Sequence, residues 1–186
     1  TYMVSVRGVS DSLLARILES LPSASHPLSI ALRNDTDTHV VSGAPADLAS
    51  LVAAIERAAA KDKAAHDAHE RGGRPLSPVC EYLPVYAPFH SPMLADALEL
   101  VDEWALQCGI DASLAHSLAA AVLTTPVDWP EQIRSATASG AAWIVDMGPG
   151  ATTVRMTRAL VEGTCVPALA EVFTAPLIVS LSGTVP

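Results

Sequence analysis

The chain has 186 residues, half of them hydrophobic and 17% charged, which is enough to bury a core in one domain or two small lobes and too apolar for a disordered tail. Its formal net charge of −9 and pI near 4.9, with no long run of Lys and Arg, argue against binding to nucleic acid or to an anionic membrane. Three Trp, three Tyr and two Phe give no stacking platform, and three scattered cysteines (Cys80, Cys108, Cys165) suit a reducing cytosol better than a disulfide framework.

The opening "TYMVSVRG" lacks the basic, apolar pattern of a secretory signal, and no run approaches the ~18 apolar residues that span a bilayer, so a cytoplasmic protein is expected. "YMVSVRGV" reads as a strand and "SDSLLARILESL" as a helix, with Ser10 at its N-cap and Leu13, Leu14, Ile17 and Leu21 on one face. "LSIALRN" and "THVVSG" are strands joined by the polar turn Asn34–Asp37. "APADLASLVAAIERAAAKD" is a helix with Pro45 in its first turn and a stripe of Leu48, Leu51, Val52 and Ile55. A charged link, "DAHERGGRPLSP", leads to a last strand, "CEYLPVYAPF". The order β-α-β-β-α-β is that of a ferredoxin-like split βαβ unit, predicted over residues 1–87.

The second half closes on itself less well. "SPMLADALELVDEWALQCGI" is a helix predicted to turn Leu94, Leu98, Val101 and Trp104 inward, and "DASLAHSLAAAVL" is another. A short helix, "PEQIRSATAS", stops at Gly140, and "AAWIVDMG" is a buried strand. Gly148-Pro149-Gly150 then leads into the helix "TTVRMTRALVEG". A single parallel-type strand among helices needs neighbours on its own sheet, so strands preceding Thr1 in a longer chain are expected.

His90, in "PVYAPFHSPMLADALELV", is the candidate catalytic residue. It sits where a strand hands over to a helix, between Pro88 and Pro92, which restrict the backbone on both sides. A neutral imidazole held there could deprotonate a hydroxyl nucleophile and return the proton to a leaving group, although a lone His is more often structural. Ser91 suits a helix N-cap. His66 and His69 have HxxH spacing but no third ligand, so no metal is expected. His26, His39 and His116 read as surface or capping residues, and Trp104, Trp129 and Trp143 as core.

Four blocks in order sharpen this reading: "ALRNDTDTHVVSGAPADL", "APFHSPML", "TTPVDWPEQI" and "GAAWIVDMGPG". With the link "AHDAHERGGRPLSPV", the chain to about Gly163 resembles the acyltransferase domains of fatty acid and polyketide synthases, and most closely the acetyltransferase domain of actinobacterial type I fatty acid synthases. The resemblance implies an α/β (α+β) architecture: a ferredoxin-like subdomain at 1–87, the closing segment of an α/β-hydrolase-like subdomain at 88–163, and a linker toward the next synthase domain at 164–186. It implies ping-pong transfer of an acetyl group from acetyl-CoA, through a serine in a GHSxG elbow, to the phosphopantetheine thiol of an acyl carrier protein. His90 matches the family's base. The family orients that base with a backbone carbonyl, expected near Val122 or Leu123, and Gly148, Pro149 and Gly150 match its active-site loop.

No GHSxG occurs in the 186 residues, and the family's oxyanion-hole glutamine and malonate-binding arginine fall upstream of the matched blocks. The chain alone is therefore expected to lack activity and to bind no cofactor, while the parent synthase's reductase domains would use NADPH and FMN. The expected partners are the remainder of the acyltransferase domain, the other synthase domains and the carrier protein. Exposed apolar patches and self-association are expected if those partners are absent. A malonyl or extender-unit transferase, and a ferredoxin-like interaction module without catalysis, are the rival readings.

Overall fold

The computed structural model describes residues 1–22, 27–69, 72–141, 143–146, 153, 156–158, 160 and 177–180. The chain divides into two compact units, Thr1–Val127 and Asp128–Pro186.

The first unit follows the pattern read from the sequence. Strand β1 (Met3–Arg7) leads to helix α1 (Asp11–Ser20), strands β2 (Ser29–Arg33) and β3 (Thr38–Ser42), helix α2 (Pro45–Asp67) and strand β4 (Val79–Tyr82). The sheet order is β4-β1-β3-β2, and β1 pairs antiparallel with both β3 and β4, as does β2 with β3. β1 and β2 thus run the same way with β3 inserted between them, the split βαβ order. A fifth, two-residue strand β5 (Val127–Asp128) lies beside β2.

Local chemistry explains the boundaries. Ser10 caps α1 by accepting from the Leu13 amide, and Pro45 occupies the first turn of α2, where its missing N–H costs nothing. Gly8 turns β1 toward α1 at φ +74, where an added Cβ would lie 3.0 Å from the Ser77 carbonyl oxygen, so only glycine fits without a shift. The expected strand from Cys80 to Phe89 stops at Tyr82, because Pro84 cannot donate to a ladder. Instead Leu83, Val85 and Phe89 fold over one face of the sheet, against Met3, Ala31 and Val40. On the other face Val4, Val6 and Val41 pack with Leu14 and Ile17 of α1 and Leu48, Leu51 and Ile55 of α2.

β3's period-two alternation puts His39 on the same side as Val41, and His39 is fully buried rather than a surface or capping residue. Its Nε2–H donates to Asp11 Oδ1 at 2.6 Å, and Arg33 Nε donates to the same oxygen at 2.9 Å. Its Nδ1 is buried with no hydrogen-bond partner. Burial pushes the Asp11 carboxyl up, but hydrogen bonds from His39 and Arg33, and then their charges, push it down further and leave it below the usual value. A carboxyl depressed in the folded state adds stability above its unfolded pKa, and that stability is lost as pH falls through the folded value. Asp11→Asn is accordingly expected to cost about 1 kcal/mol at pH 7, a figure already discounted for its exposure. The difference from wild type should shrink toward pH 3, as urea titrations at the two pH values will show.

After a one-turn 3₁₀ segment at Pro92–Leu94 come helices α3 (Asp96–Gln107) and α4 (Ala112–Leu123), which pack on each other. Trp104 does not face inward: it is 58% exposed, and Leu100, Leu106, Ile110, Leu114, Leu118 and Val122 are exposed with it. Leu114, Leu118 and Val122 recur every four residues, so α4 presents a continuous apolar stripe.

The second unit contains helix α5 (Trp129–Ala138), capped by Asp128, and the parallel pair β6 (Trp143–Asp146) and β7 (Leu177–Ser180). β7 falls in the stretch read from the sequence as a linker. Trp129 is half-buried against Ile133 and Leu160, and its Nε1–H donates to Thr157 Oγ1 at 3.2 Å. Among the described residues no helix is long and apolar enough to cross a membrane.

Candidate active site

The site is built where the first unit's sheet gives way to α3. Phe89 packs on the sheet, Pro88 is buried, and His90 follows at φ +56, in the left-handed region. For a residue with a β-carbon that conformation costs about 1–2 kcal/mol and persists only where the surroundings over-determine it.

The surroundings do so at several points. The Phe89 carbonyl accepts a hydrogen bond from Ser42 Oγ at 2.7 Å. The Ser91 amide donates to the Leu123 carbonyl at 3.1 Å. Ser91 is fully buried, and its Oγ accepts from the Met93 amide at 3.2 Å, the N-cap role its position suggested.

The ring is held from α4. That helix ends with the amides of Thr124 and Thr125 both bonded to the Ala120 carbonyl, at 3.0 and 2.9 Å. Pro126 then biases Thr125 toward extended backbone, which fixes the direction of its carbonyl. His90 Nδ1 lies 2.9 Å from the Thr125 carbonyl oxygen. The acceptor is therefore Thr125 and not Val122 or Leu123: both of these lie in the last turn of α4, where Leu123 lends its carbonyl to the Ser91 amide. The carbonyl comes later than the motif spacing suggests, because α4 runs to Leu123 and the chain must leave the helix before a carbonyl can turn to the ring.

A carbonyl can only accept, so Nδ1 carries the proton and Nε2 keeps its lone pair. His90 is half-buried, with the basic nitrogen of a neutral imidazole set by a peptide oxygen rather than by a carboxylate. This arrangement can take a proton from a hydroxyl or thiol and hand it back.

The other sequence candidates lie elsewhere. Gly148, Pro149 and Gly150 are outside the described residues, as are His26 and Cys165. His116 Nδ1 lies 3.0 Å from Asp102 Oδ2 at an exposed hydrogen-bonded contact. Among the described residues no group of three or more His, Cys, Asp or Glu could hold a metal ion. Sequence reasoning passed over Ser42; its signal was position, at the end of the buried strand that faces the "APFH" segment.

Residues 2–82 match the family described as the fatty acid synthase central AT domain. The chain is 28% identical over 176 residues to fatty acid synthase subunit beta of Gibberella zeae and 30% identical over 165 residues to that of Aspergillus oryzae. These matches cover 81% and 72% of this chain but 8% of each fungal protein. The malonyl CoA-acyl carrier protein transacylase of Clostridium perfringens superposes with a TM-score of 0.65 at 17% identity, over 97% of this chain and 53% of that one. The chain thus spans about half the length of that transacylase and a small fraction of the fungal subunits. It has the mixed α/β acyltransferase fold, and across residues 2–82 it is similar to the central acyltransferase domain of fatty acid synthases.

Proposed function

We propose that the chain is the later part of an acyl-CoA:acyl carrier protein acyltransferase domain in a multifunctional fatty acid synthase, with His90 as general base and general acid. The observation that carries this is the His90 Nδ1 contact with the Thr125 carbonyl, which leaves Nε2 basic. Nε2 would take the proton of a serine hydroxyl as its oxygen attacks the acyl-CoA thioester. The proton would then pass to the departing CoA sulfur. In the second half the same nitrogen would deprotonate the carrier's phosphopantetheine thiol and return the proton to the serine oxygen.

The serine and the oxyanion donors would come from chain outside these 186 residues, which contain no GHSxG. The acyl group is proposed to be acetyl, by resemblance to the actinobacterial acetyltransferase domains. The name of the Clostridium perfringens neighbour supports malonyl as the second reading. The apolar stripe on α4 suits packing against the rest of such a domain.

Two assays test this. The 186-residue chain, incubated with acetyl-CoA or malonyl-CoA, is expected to gain no acyl mass, and an adduct would show that it carries its own nucleophile. The parent domain should move acetyl groups to a holo-carrier protein at least tenfold faster than malonyl groups; the reverse order would assign it to malonyl transfer.

A further inference from the structure

We infer that Ser42, on the sheet, is a positioning residue for His90. Its catalytic consequence rests on the acyl-transfer reading, and its structural consequence does not. Ser42 is the last residue of β3, fully buried, and held from both sides by the register pairs Met3↔Ser42 and Ser29↔Ser42. Its hydroxyl donates at 2.7 Å to the Phe89 carbonyl, 47 residues away in sequence.

That carbonyl belongs to the peptide joining Phe89 to His90. Holding its oxygen fixes the peptide plane and therefore the side from which His90 enters its left-handed φ of +56. The Ser91 amide on Leu123 fixes the next peptide, and the Thr125 carbonyl fixes the ring. Of these three anchors, Ser42 is the one that stands within a strand of the sheet, at the end of β3. The Leu123 and Thr125 carbonyls lie at the end of α4 and just beyond it, so both reach His90 from the helix side. Removing the Ser42 hydroxyl leaves a carbonyl unpaired and frees the peptide to tilt, which moves the imidazole relative to Thr125.

The test uses ring nitrogen-15 NMR of the 186-residue chain, which reads the tautomer of each histidine. In wild type His90 is expected almost wholly as the Nδ1–H tautomer. In Ser42→Ala the ratio of Nε2–H to Nδ1–H is expected to rise about fivefold, the shift that one net hydrogen bond produces in an equilibrium. Ser42→Thr, which keeps the hydroxyl, should restore the wild-type ratio. Ser42→Cys, a weak donor of similar shape, should fall between and keeps the comparison open even if the alanine variant does not fold.

Leu51→Ala, which loosens the opposite face of the sheet, should leave the ratio unchanged. A wild-type ratio in folded Ser42→Ala and Ser42→Cys, or an equal rise in Leu51→Ala, would overturn the inference. In the parent acyltransferase, Ser42→Ala should lower kcat about tenfold with the KM for acyl-CoA unchanged. A tautomer response to Ser42, in a parent domain whose acyl transfer ignores His90→Ala, would uphold the positioning role and sink the acyl-transfer reading.

Discussion

His90→Ala, introduced into a parent domain that also supplies the serine nucleophile, is expected to lower kcat for acyl transfer by about 10²–10⁴-fold. Losing the base removes proton transfer at both half-reactions, so acylation by acyl-CoA and deacylation by the carrier thiol should slow together. The KM for acyl-CoA should change little, because the imidazole acts on the nucleophile and the leaving group rather than on the bulk of the substrate. His90→Gln is the sharper variant. Its amide can still donate to the Thr125 carbonyl and fill the space, yet it cannot take a proton at neutral pH. If His90→Gln retained most of the activity, His90 would be a structural residue in a strand-to-helix turn.

Leu51→Ala should have the largest effect on stability. Leu51 is fully buried on α2, against Val4, Val6 and Val41 of the sheet and Leu14 of α1. Truncation removes the transfer free energy of the lost carbons and leaves a cavity in a region where strand and helix backbones are fixed by their own hydrogen bonds, so collapse is limited. The expected loss is about 2–5 kcal/mol, read as a lower urea midpoint with an unchanged slope. An exposed leucine supplies the contrast. Leu118→Ala on α4, where the side chain is 62% exposed, should change the midpoint by under about 0.5 kcal/mol. If Leu51→Ala cost no more than Leu118→Ala, the packing described for the first unit would be wrong.

The parts of this fold governed by local patterning were legible in the sequence. The stripe of Leu48, Leu51 and Ile55 announces α2, and Ser10 announces the start of α1. The apolar runs in "LSIALRN" and "THVVSG" mark two strands that pair across the polar turn at Asn34–Asp37. What the sequence obscured depends on contacts distant along the chain. His39 looks like a surface residue until Asp11, 28 positions earlier, supplies the carboxylate that lets it be buried. Trp104 looks like a core residue, yet among the described residues it is exposed. β7 is a four-residue strand with three apolar residues whose strand character comes from pairing with β6, far upstream, and periodicity alone cannot tell so short a run from a loop.

The site shows the same division. His90 stands out because two prolines frame it at an element boundary. Its acceptor, Thr125, lies two to three residues beyond the positions the sequence suggests, since a carbonyl's partner depends on where a helix releases the chain. Ser42 was invisible because its one telling feature is a hydrogen bond across 47 residues.

The most direct measurement of the central claim is the intact mass of the parent acyltransferase domain a few seconds after mixing with acyl-CoA, in wild type and in His90→Ala. His90 as base predicts prompt gain of one acyl group in wild type and a gain at least a hundredfold slower in the variant. Equal acylation of the two proteins would contradict it.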